Sequence, residues 1–359
     1  MKAAVLPAFG SPLEMQTLPD PVVGVGQIVV DMIATGVPGY TVGVFSGARN
    51  YMMEPPIAPG PGGIGRVRAT GPDSTKLKAG DWVYVDPTIR SRDDAVNPDT
   101  ILLGWTARSE AAWPLHRLYH HGSFAEQLLV PAENVTPIGE IDVADAGRWC
   151  GVGRLLVPYG GLLALNLRAG ETLVVSGATG GFGSASVAVA LGMGAARVVA
   201  TGRNEAALAD LAHRFGPRVK PAKMTGDPHI DRKLVQDLAG GPIDTVLDWL
   251  PREASPAQAM GPMLSVRNGG RVVLMGGVRG DLPINYNWLM HNNTTLRGQW
   301  MYEPEAVPPM VAMVRAGLID LGHFDVTEFP LDQANEAVAH AAETAGPHKL
   351  TVLRPDRMG

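Results

Sequence analysis

The spacing of apolar residues changes in character about halfway along the chain. Up to about Pro137 the apolar runs are short, as in IVVDMIATG, RVRATG, DWVYVD and FAEQLLVPAENV, and glycine and proline separate them. Short runs of this kind, alternating or continuous and bounded by such residues, are typical of β-strands. The pattern therefore predicts that the first part of the chain is rich in β-structure.

From Leu162 onward, strand-like and helix-like segments alternate. The strand-like segments are LVVSGA, RVVATG, DTVLDWL and RVVLMGG, and the helix-like ones are SASVAVALGMGA, NEAALADLAHRFG and PAQAMGPMLSVRNGG. This alternation is typical of β-α-β units that form a parallel, doubly wound sheet. We therefore predict an α/β protein with a β-rich domain and a doubly wound domain. After about Gly298 we expect one more helix, MVAMVRAG, and short pieces ending in LTVL.

The segment between Asp86 and Gly122 has no clear period and many polar residues. We predict a long loop here. Loops of this length within a compact domain usually line or cover a site.

Composition narrows the possible functions. A chain of 359 residues is long enough for two domains of ordinary size, and its net charge of -5, without a basic stretch, argues against a nucleic-acid partner. The single cysteine excludes an internal disulfide, and LLVPYGGLLAL is interrupted by Pro158 and too short to cross a bilayer. We expect a cytoplasmic protein that acts on a small molecule and has no membrane partner.

The segment VVSGATGGFG places a strand, a glycine-rich turn and a helix in succession. Ala178, Gly180 and Gly183 occupy the three positions of a G-x-G-x-x-G pattern, with alanine in the first. A turn of this kind lets a pyrophosphate approach the backbone, and the helix N-terminus supplies amide groups and partial positive charge. We predict dinucleotide binding here, rather than a turn without a ligand, by Ala178, Thr179, Gly180, Gly181, Phe182 and Gly183.

The end of the next predicted strand indicates which dinucleotide is bound. NAD sites place a carboxylate there for the ribose 2′-hydroxyl, whereas VVATGRNE has Gly202 and Arg203. A guanidinium binds a 2′-phosphate through charge-assisted hydrogen bonds. We therefore predict NADP as the cofactor, although an arginine that only faces solvent would give the same sequence.

The order of these segments resembles the medium-chain dehydrogenase/reductase superfamily over nearly the whole chain. The resemblance rests on MKAAVLPAFGSP, GSFAEQLLVPAENV, LRAGETLVVSGATGGFG, and GGRVVLMGG followed by TTLRGQW. It implies a GroES-like catalytic domain at 1–154, a Rossmann NADP-binding domain at 155–300, and a return to the catalytic domain at 301–359.

The chain departs from the zinc-dependent members of that superfamily. Pro38 stands where they carry a cysteine, and Pro61 and Gly62 stand where they carry a His-Glu pair. The third ligand position falls near Gly153, with Cys150 close to it but out of register, and the four cysteines of a structural zinc lobe are missing. Proline and glycine side chains cannot ligate metal, so we expect no zinc.

Two histidines offer a metal site by another route, since His116 and His120 in HRLYHH would share one face of a helix. The segment provides no obvious third ligand, and we favour a solvated histidine-rich loop. Cys150 is similarly expected to be a buried apolar residue rather than a nucleophile.

Without a Lewis acid, hydride transfer suits substrates that stabilise the developing negative charge themselves. The chain resembles the zinc-free quinone oxidoreductases and the enoyl and alkenal reductases, so we expect reduction of quinones or activated C=C bonds. One alternative is an alcohol dehydrogenase or carbonyl reductase that works without zinc. Another is a protein that binds NADPH without turnover.

The resemblance also implies site residues and an assembly. Tyr40 or Tyr51 would donate a proton or hydrogen bond to the substrate, unless both are packed tyrosines. The nicotinamide end would be approached by Met275, Gly276, Gln299 and Met301. Four aromatic residues, each also a candidate for ordinary core packing, could line an apolar pocket: Trp105, Trp288, Trp300 and Tyr302. The segment PINYNWLMHNNTTLRGQW is expected to pair two chains into a homodimer.

Overall fold

A computed structural model describes residues 1–359 of the protein. The chain forms two compact units. Unit 1 comprises Met1–Gly153, Phe324–Ala345 and Lys349–Gly359, and unit 2 comprises Arg154–His323 and Gly346–His348. The predicted α/β class is confirmed, since unit 1 is rich in β-structure and unit 2 holds a parallel sheet.

Unit 1 begins with ten strands and three short helices. The strands are β1 Lys2–Val5, β2 Glu14–Thr17, β3 Gln27–Val37, β4 Gly63–Thr70, β5 Trp82–Val85, β6 Thr88–Arg90, β7 Thr100–Leu102, β8 Thr106–Ala107, β9 Gln127–Pro131 and β10 Val135–Pro137. The helices are α1 Thr41–Phe45, α2 Trp113–Leu118 and α3 Ala146–Trp149.

The remaining elements follow in chain order. The helices are α4 Gly151–Ala164, α5 Gly181–Gly192, α6 Glu205–Phe215, α7 Pro228–Ala239, α8 Pro256–Met263, α9 Tyr286–His291 and α10 Val307–Arg315. The strands are β11 Thr172–Ser176, β12 Arg197–Gly202, β13 Val219–Lys223, β14 Thr245–Asp248, β15 Arg271–Leu274 and β16 Thr295–Gly298. The chain then adds β17 Asp325–Pro330, α11 Ala334–Glu343 and β18 Lys349–Arg354 to unit 1.

The main sheet of unit 1 has the order β10-β5-β4-β3-β18-β17, and β9 also pairs with β3. The pairs are antiparallel except β17 with β18, which run parallel. The last strand of the chain therefore lies inside the sheet, between a strand from the N-terminal region and β17. The closing helix α11 was not among the predicted elements, although its buried residues Ala334, Ala337, Val338 and Ala341 recur at helical spacing.

The segment between Asp86 and Gly122 is not the long loop that its sequence suggested. It folds into a small antiparallel sheet of β6, β7 and β8 followed by α2. Ile89, Ile101 and Leu103 are fully buried in an apolar core cluster of unit 1. The prediction of a loop is wrong because these isolated apolar residues show no local period, and only packing against the main sheet gives them a common inner face.

The sheet of unit 2 has the order β13-β12-β11-β14-β15-β16, and all of its pairs are parallel. The order reverses between β11 and β14, which is the point where doubly wound sheets bind ligands at the carboxyl ends of their strands. The inner strands are nearly continuous apolar runs because helices cover both faces of the sheet. None of the helices in the structure is both long enough and apolar enough to cross a membrane.

Candidate functional site

The glycine-rich turn connects β11 to α5 at the carboxyl edge of the parallel sheet. Gly177 has a φ of +76°, a backbone conformation that residues with a side chain rarely adopt, and Gly180 caps the helix, which begins at Gly181. A Cβ atom on Gly183 would collide with the carbonyl oxygen of Gly177 and lie 2.7 Å from Cα of Ala178. The turn and the first helical turn therefore pack backbone against backbone, and the first amide groups of α5 lack carbonyl partners within the helix.

A cavity of about 240 Å³ opens beside this turn, within unit 2. Thr179 and Gly180 line it from the turn, and Gly202 and Arg203 line it from the end of β12. The structure thus brings together two groups of predicted cofactor residues that are about twenty residues apart in the sequence.

Gly202 is in close contact with the turn. A Cβ atom on Gly202 would lie 2.6 Å from Cγ2 and 2.9 Å from Oγ1 of Thr179. An acidic residue at this position would therefore have to displace Thr179. A carboxylate of the kind that NAD sites place at this strand end would therefore fit only with a shift of the Thr179 side chain.

Arg203 follows β12 directly and its side chain is exposed at the cavity. Asn204 ends this short stretch by capping α6, since its side-chain oxygen accepts a hydrogen bond from the Ala207 amide at 3.1 Å. Lys223, the register partner of Gly202 on β13, adds a second cation at this edge and pairs with Glu205 at 3.0 Å.

Other residues that line the cavity were not identified by the sequence patterns. Met224 and Gly226 follow β13, Trp249 and Leu250 follow β14, and the buried Asp231 belongs to α7. Their position after parallel strands was the available signal, because carboxyl ends of such strands meet at one edge.

An arginine and two aromatic rings lie at the start of α5. The rings of Phe182 and Trp249 stack at a centroid distance of 5.3 Å, and the guanidinium carbon of Arg154 is 5.4 Å from the Phe182 centroid. The same guanidinium lies beside Gly181. This places a positive side chain next to the positive end of the helix dipole.

The four residues predicted for the nicotinamide end do not line the cavity described above. Met275 and Gly276 follow β15, where the Met275 amide donates to the Asp248 carbonyl at 3.0 Å. Gln299 and Met301 follow β16, and Met301 has a φ of +56°. All four lie after strands of the parallel sheet, and their contact with a nicotinamide stays a prediction.

Asp248 is a buried carboxyl group at the same sheet edge, with 3% of its surface exposed. It is the register partner of Ser176, the last residue of β11. Its Oδ2 accepts a hydrogen bond from the Leu250 amide at 3.3 Å, and burial raises the pKa of Asp248 to about 6. The cavity is thus adjacent to a carboxyl group that holds its proton more strongly than usual.

Tyr40 and Tyr51 lie in unit 1, where both pack against an apolar core cluster. The guanidinium carbon of Arg49 is 4.6 Å from the Tyr40 ring centroid, and Trp105 lies 6.3 Å from the same ring. Both tyrosine rings are half-buried. Whether either hydroxyl meets a substrate stays a prediction.

The other aromatic candidates occupy different environments. Trp105 is 1% exposed and belongs to the core of unit 1, while Tyr302 is buried in unit 2. Trp288 packs on the apolar core of the parallel sheet, and Trp300 is 38% exposed. Trp105 and Trp288 pack against core clusters, and whether any of the four rings lines a substrate pocket stays a prediction.

Near the positions where zinc-dependent members of the resembled superfamily carry metal ligands, unit 1 forms hydrogen bonds among its own residues. Thr35 donates its hydroxyl to the Gly62 carbonyl at 2.7 Å and lies 2.6 Å from the Ser123 hydroxyl. The Thr41 hydroxyl donates to the Pro38 carbonyl at 2.5 Å. Cys150 is buried, and this burial raises the pKa of its thiol.

The histidine segment also differs from a metal site. His116 is fully buried at the end of α2, whereas His120 lies beyond the helix and hydrogen-bonds through Nε2 to the Pro56 carbonyl at 2.9 Å. Burial lowers the pKa values of His116 and His121 to about 4. No group of three or more His, Cys, Asp or Glu side chains is arranged to hold a metal ion.

Comparison with known families matches both parts of the chain. The alcohol dehydrogenase GroES-like domain matches residues 24–140, and the zinc-binding dehydrogenase family matches residues 181–316. The first match confirms the GroES-like fold predicted for the β-rich part.

Similar proteins of known activity are dehydrogenases. The chain is 30% identical over 338 residues to an alcohol dehydrogenase of Moraxella sp. (strain TAE123), which covers 94% of each chain. It is 24% identical over 373 residues to the sorbitol dehydrogenase of Bacillus subtilis (strain 168), which covers 99% of this chain and 98% of that protein.

Solved structures share the fold. The crystal structure of an NAD-dependent alcohol dehydrogenase has a TM-score of 0.76 at 23% identity, with 99% of each chain covered. A putative zinc-binding dehydrogenase from Sinorhizobium meliloti 1021, bound to NADP, has a TM-score of 0.78 at 19% identity and the same coverage. Together with the full-length relative at 30% identity, these matches show that the chain belongs to the medium-chain dehydrogenase/reductase superfamily and is an oxidoreductase of that group.

Proposed function

We propose that the protein is an NADP(H)-dependent oxidoreductase that works without a catalytic zinc ion. The observation that carries this proposal is that the glycine-rich turn, through Thr179 and Gly180, lines one cavity together with Gly202 and Arg203.

The residues of unit 2 fit a dinucleotide. The close backbone contact between Gly183 and Gly177 excludes a side chain at Gly183, and the free amide groups at the start of α5 suit a pyrophosphate. Arg154 adds positive charge at the same helix end. When bound, the nicotinamide ring supplies or accepts the hydride, while these residues hold and orient the cofactor.

The preference for NADP over NAD rests on charge and on space. Arg203 offers a guanidinium to a 2′-phosphate, and Gly202, which lies against the Thr179 side chain, offers no carboxylate to an NAD ribose. The fold does not decide between the two cofactors, since an NAD-dependent alcohol dehydrogenase and a dehydrogenase bound to NADP share it.

The residues of unit 1 do not fit a catalytic zinc, although one matching family is named for zinc binding. Pro38, Pro61 and Gly62 have no ligating side chain, and the Thr35 hydroxyl already bonds to the Gly62 carbonyl. We expect less than one zinc per ten chains by elemental analysis of the purified protein, and activity that is unchanged by chelators. About one zinc per chain would contradict the proposal.

Two substrate classes follow from different observations. The named relatives are dehydrogenases of alcohols, which favours an alcohol–carbonyl pair as the substrate. The missing zinc ligands favour quinones or conjugated C=C bonds, because these stabilise the developing negative charge without a Lewis acid. We propose the alcohol–carbonyl pair first and the quinone or enone class second. Tyr40 and Tyr51 are the proposed hydrogen-bond donors to either substrate.

A turnover screen tests this proposal. Consumption of NADPH is followed with simple ketones, aldehydes, quinones, enones and enals, and formation of NADPH with alcohols, all in the presence of a chelator. Turnover confined to carbonyls and alcohols supports the first class, and turnover confined to quinones or activated C=C bonds supports the second. Binding of NADPH without turnover of any of them would indicate a cofactor-binding protein without catalytic activity.

The role of Arg203 is tested by substitution. Arg203→Ala removes a charge-assisted interaction worth roughly 1.5–3 kcal/mol, which corresponds to about 10- to 100-fold weaker NADPH binding. NADH has no 2′-phosphate, so its dissociation constant should stay within about twofold. Arg168→Ala, which removes an exposed arginine outside the cavity, is the matched control. An equal loss for both cofactors would contradict the assignment to NADP.

We also propose that two chains pair through β16. This edge strand is mostly exposed, and the neighbouring helix α9 exposes 80% of Tyr286 and 51% of Met290. An open strand edge beside exposed apolar side chains favours pairing with a second copy. Light scattering at micromolar concentration should give twice the mass of one chain, and a monomer mass would overturn the proposal.

A further inference from the structure

Asp231 in the first turn of α7 is a charged residue in an unusual place. It lines the cavity beside the glycine turn, yet only 1% of its surface is exposed. A buried carboxylate is costly unless several donors satisfy it. Its hydrogen bonds therefore indicate what it stabilises.

All three hydrogen bonds to the Asp231 carboxylate come from two consecutive residues. Its Oδ1 accepts from the amide of Thr225 at 2.7 Å and from the hydroxyl of Thr225 at 2.8 Å. Its Oδ2 accepts from the amide of Gly226 at 3.0 Å. The carboxylate thus binds the segment that precedes the helix.

Capping of α7 does not require Asp231. Asp227 already caps this helix, since its Oδ1 accepts hydrogen bonds from the His229 amide at 2.8 Å and the Ile230 amide at 3.0 Å. Gly226 has a φ of +93°, a conformation that glycine adopts readily, so the segment bends sharply there. Asp231 holds this bend through its hydrogen bonds to Thr225 and Gly226.

The segment that Asp231 holds forms one wall of the cavity. Met224 and Gly226 both line it, and the Met224 amide donates to the Gly202 carbonyl at 2.9 Å. The wall is therefore held at one end by Asp231 and at the other by the residue next to Arg203. A shift of Thr225 and Gly226 would move Met224 relative to that arginine.

We propose that Asp231 is a positioning residue that holds the Met224–Gly226 wall against the adenosine part of the cofactor. This inference rests on the proposed function, because the cavity is assigned to the cofactor there. The adenosine part is common to NADPH and NADH, so Asp231 governs the affinity for both, whereas Arg203 governs only the choice between them.

The experiment measures dissociation constants by calorimetry for wild type and two variants, with 5′-AMP, nicotinamide mononucleotide, NADPH and NADH as probes. In Asp231→Ala, binding of 5′-AMP, NADPH and NADH should weaken by about tenfold, because the three bonds that order the wall are lost. Binding of nicotinamide mononucleotide should not change. Thr225→Val removes the hydroxyl bond to Asp231 and the acceptor of the Asp227 amide but keeps both amide bonds to Asp231. Binding of the same three probes should therefore weaken by less than in Asp231→Ala.

Asp227→Ala is the matched control, because it removes an aspartate from the start of the same helix without touching the cavity wall. Its dissociation constants should stay within about twofold of wild type. Circular dichroism shows whether each variant is folded. If Asp231→Ala is unfolded, the dissociation constants of Thr225→Val still test the inference.

Two results would overturn the inference. One is unchanged 5′-AMP binding in folded Asp231→Ala. If Asp231→Ala does not fold, unchanged 5′-AMP binding in Thr225→Val would overturn the inference in the same way. The other is an equal loss in Asp227→Ala, which would show a general effect of α7. Wild-type protein that binds neither NADPH nor 5′-AMP would instead overturn the proposed function, so the two failures are distinguishable.

Discussion

Asp248 illustrates how a single buried group makes the stability of the protein depend on pH. Its pKa is raised to about 6 in the folded protein, mainly by burial, whereas an unfolded aspartate titrates near 3.8. Between these values the folded state binds the proton more tightly. The free energy of unfolding therefore decreases as the pH rises from about 4 to about 6, and the loss persists above that range.

Asp248→Asn should remove this loss, because the amide is neutral at every pH and its oxygen can still accept from the Leu250 amide. We expect the variant to be more stable than wild type by about 1–3 kcal/mol at pH 7.5, with a smaller difference at pH 5. Urea unfolding at both pH values measures the difference. A variant that is less stable than wild type at pH 7.5 would contradict the prediction that the buried, ionised Asp248 destabilises the folded protein.

His116 makes the opposite contribution, because burial lowers its pKa from 6.5 to about 4. The folded protein resists protonation of this ring, so the free energy of unfolding falls as the pH decreases from about 6.5 to about 4. Neither ring nitrogen has a hydrogen-bond partner, and the ring packs edge-on against Trp113 at 5.3 Å.

His116→Leu keeps an apolar side chain in this place and removes the titration. Between pH 6.5 and pH 4 the free energy of unfolding should decrease in both proteins, and the decrease should be smaller in the variant by up to about 3 kcal/mol. Unfolding curves at four pH values check the slope. His121→Leu is a useful companion, since the pKa of His121 is lowered to a similar value, and equal slopes in wild type and both variants would contradict the prediction.

At the scale of secondary structure, the contact of α5 with the preceding turn controls the cofactor cradle. Gly183→Ala would push the added methyl group into the Gly177 carbonyl. We expect a loss of about 1–3 kcal/mol in stability and a displaced turn that binds NADPH more weakly.

Gly180→Ala in the same turn is the control for stability, because its added methyl group would meet only the Gly177 oxygen at 3.5 Å. Thermal unfolding of the two variants separates them. If Gly183→Ala unfolds at the same temperature as Gly180→Ala, the close packing of helix and turn does not stabilise the protein.

At the scale of the whole molecule, the chain closes unit 1 with its last strand. Arg354 on β18 is 1% exposed and donates to Glu328 at 2.9 and 3.0 Å, to Asp356 at 3.0 Å, and to the Ile33 carbonyl at 2.9 Å. These partners belong to β17, to the C-terminal turn and to β3. One buried guanidinium therefore connects segments that are more than 300 residues apart in sequence.

Arg354→Ala would leave the carboxylates of Glu328 and Asp356 without their buried partner. We expect a loss of about 3–5 kcal/mol in the free energy of unfolding. Arg357→Ala is the control, since Arg357 also donates to Glu328 but is 48% exposed, and exposed pairs contribute at most about 1 kcal/mol. Similar losses in the two variants would contradict the importance of burial.

The parts of this molecule that sequence patterns predicted are those set by neighbouring residues. The glycine turn, the strand before it and the helix after it depend on local backbone freedom and apolar period, so these elements could be predicted in advance. That Gly180, Gly183 and Arg203 bind a cofactor stays a prediction. That Pro38 and Pro61 carry no metal-ligating side chain follows from residue type alone, and the lack of a zinc ion stays a prediction.

Long-range packing decided the rest. Met224, Trp249 and Asp231 meet the glycine turn only because parallel strands bring their carboxyl ends to one edge of the sheet. Ile89 and Ile101 become core residues, and β18 an inner strand, through contacts with segments far away in the chain. No local period encodes such contacts, since their free energy comes from burying surfaces that meet only in the folded chain.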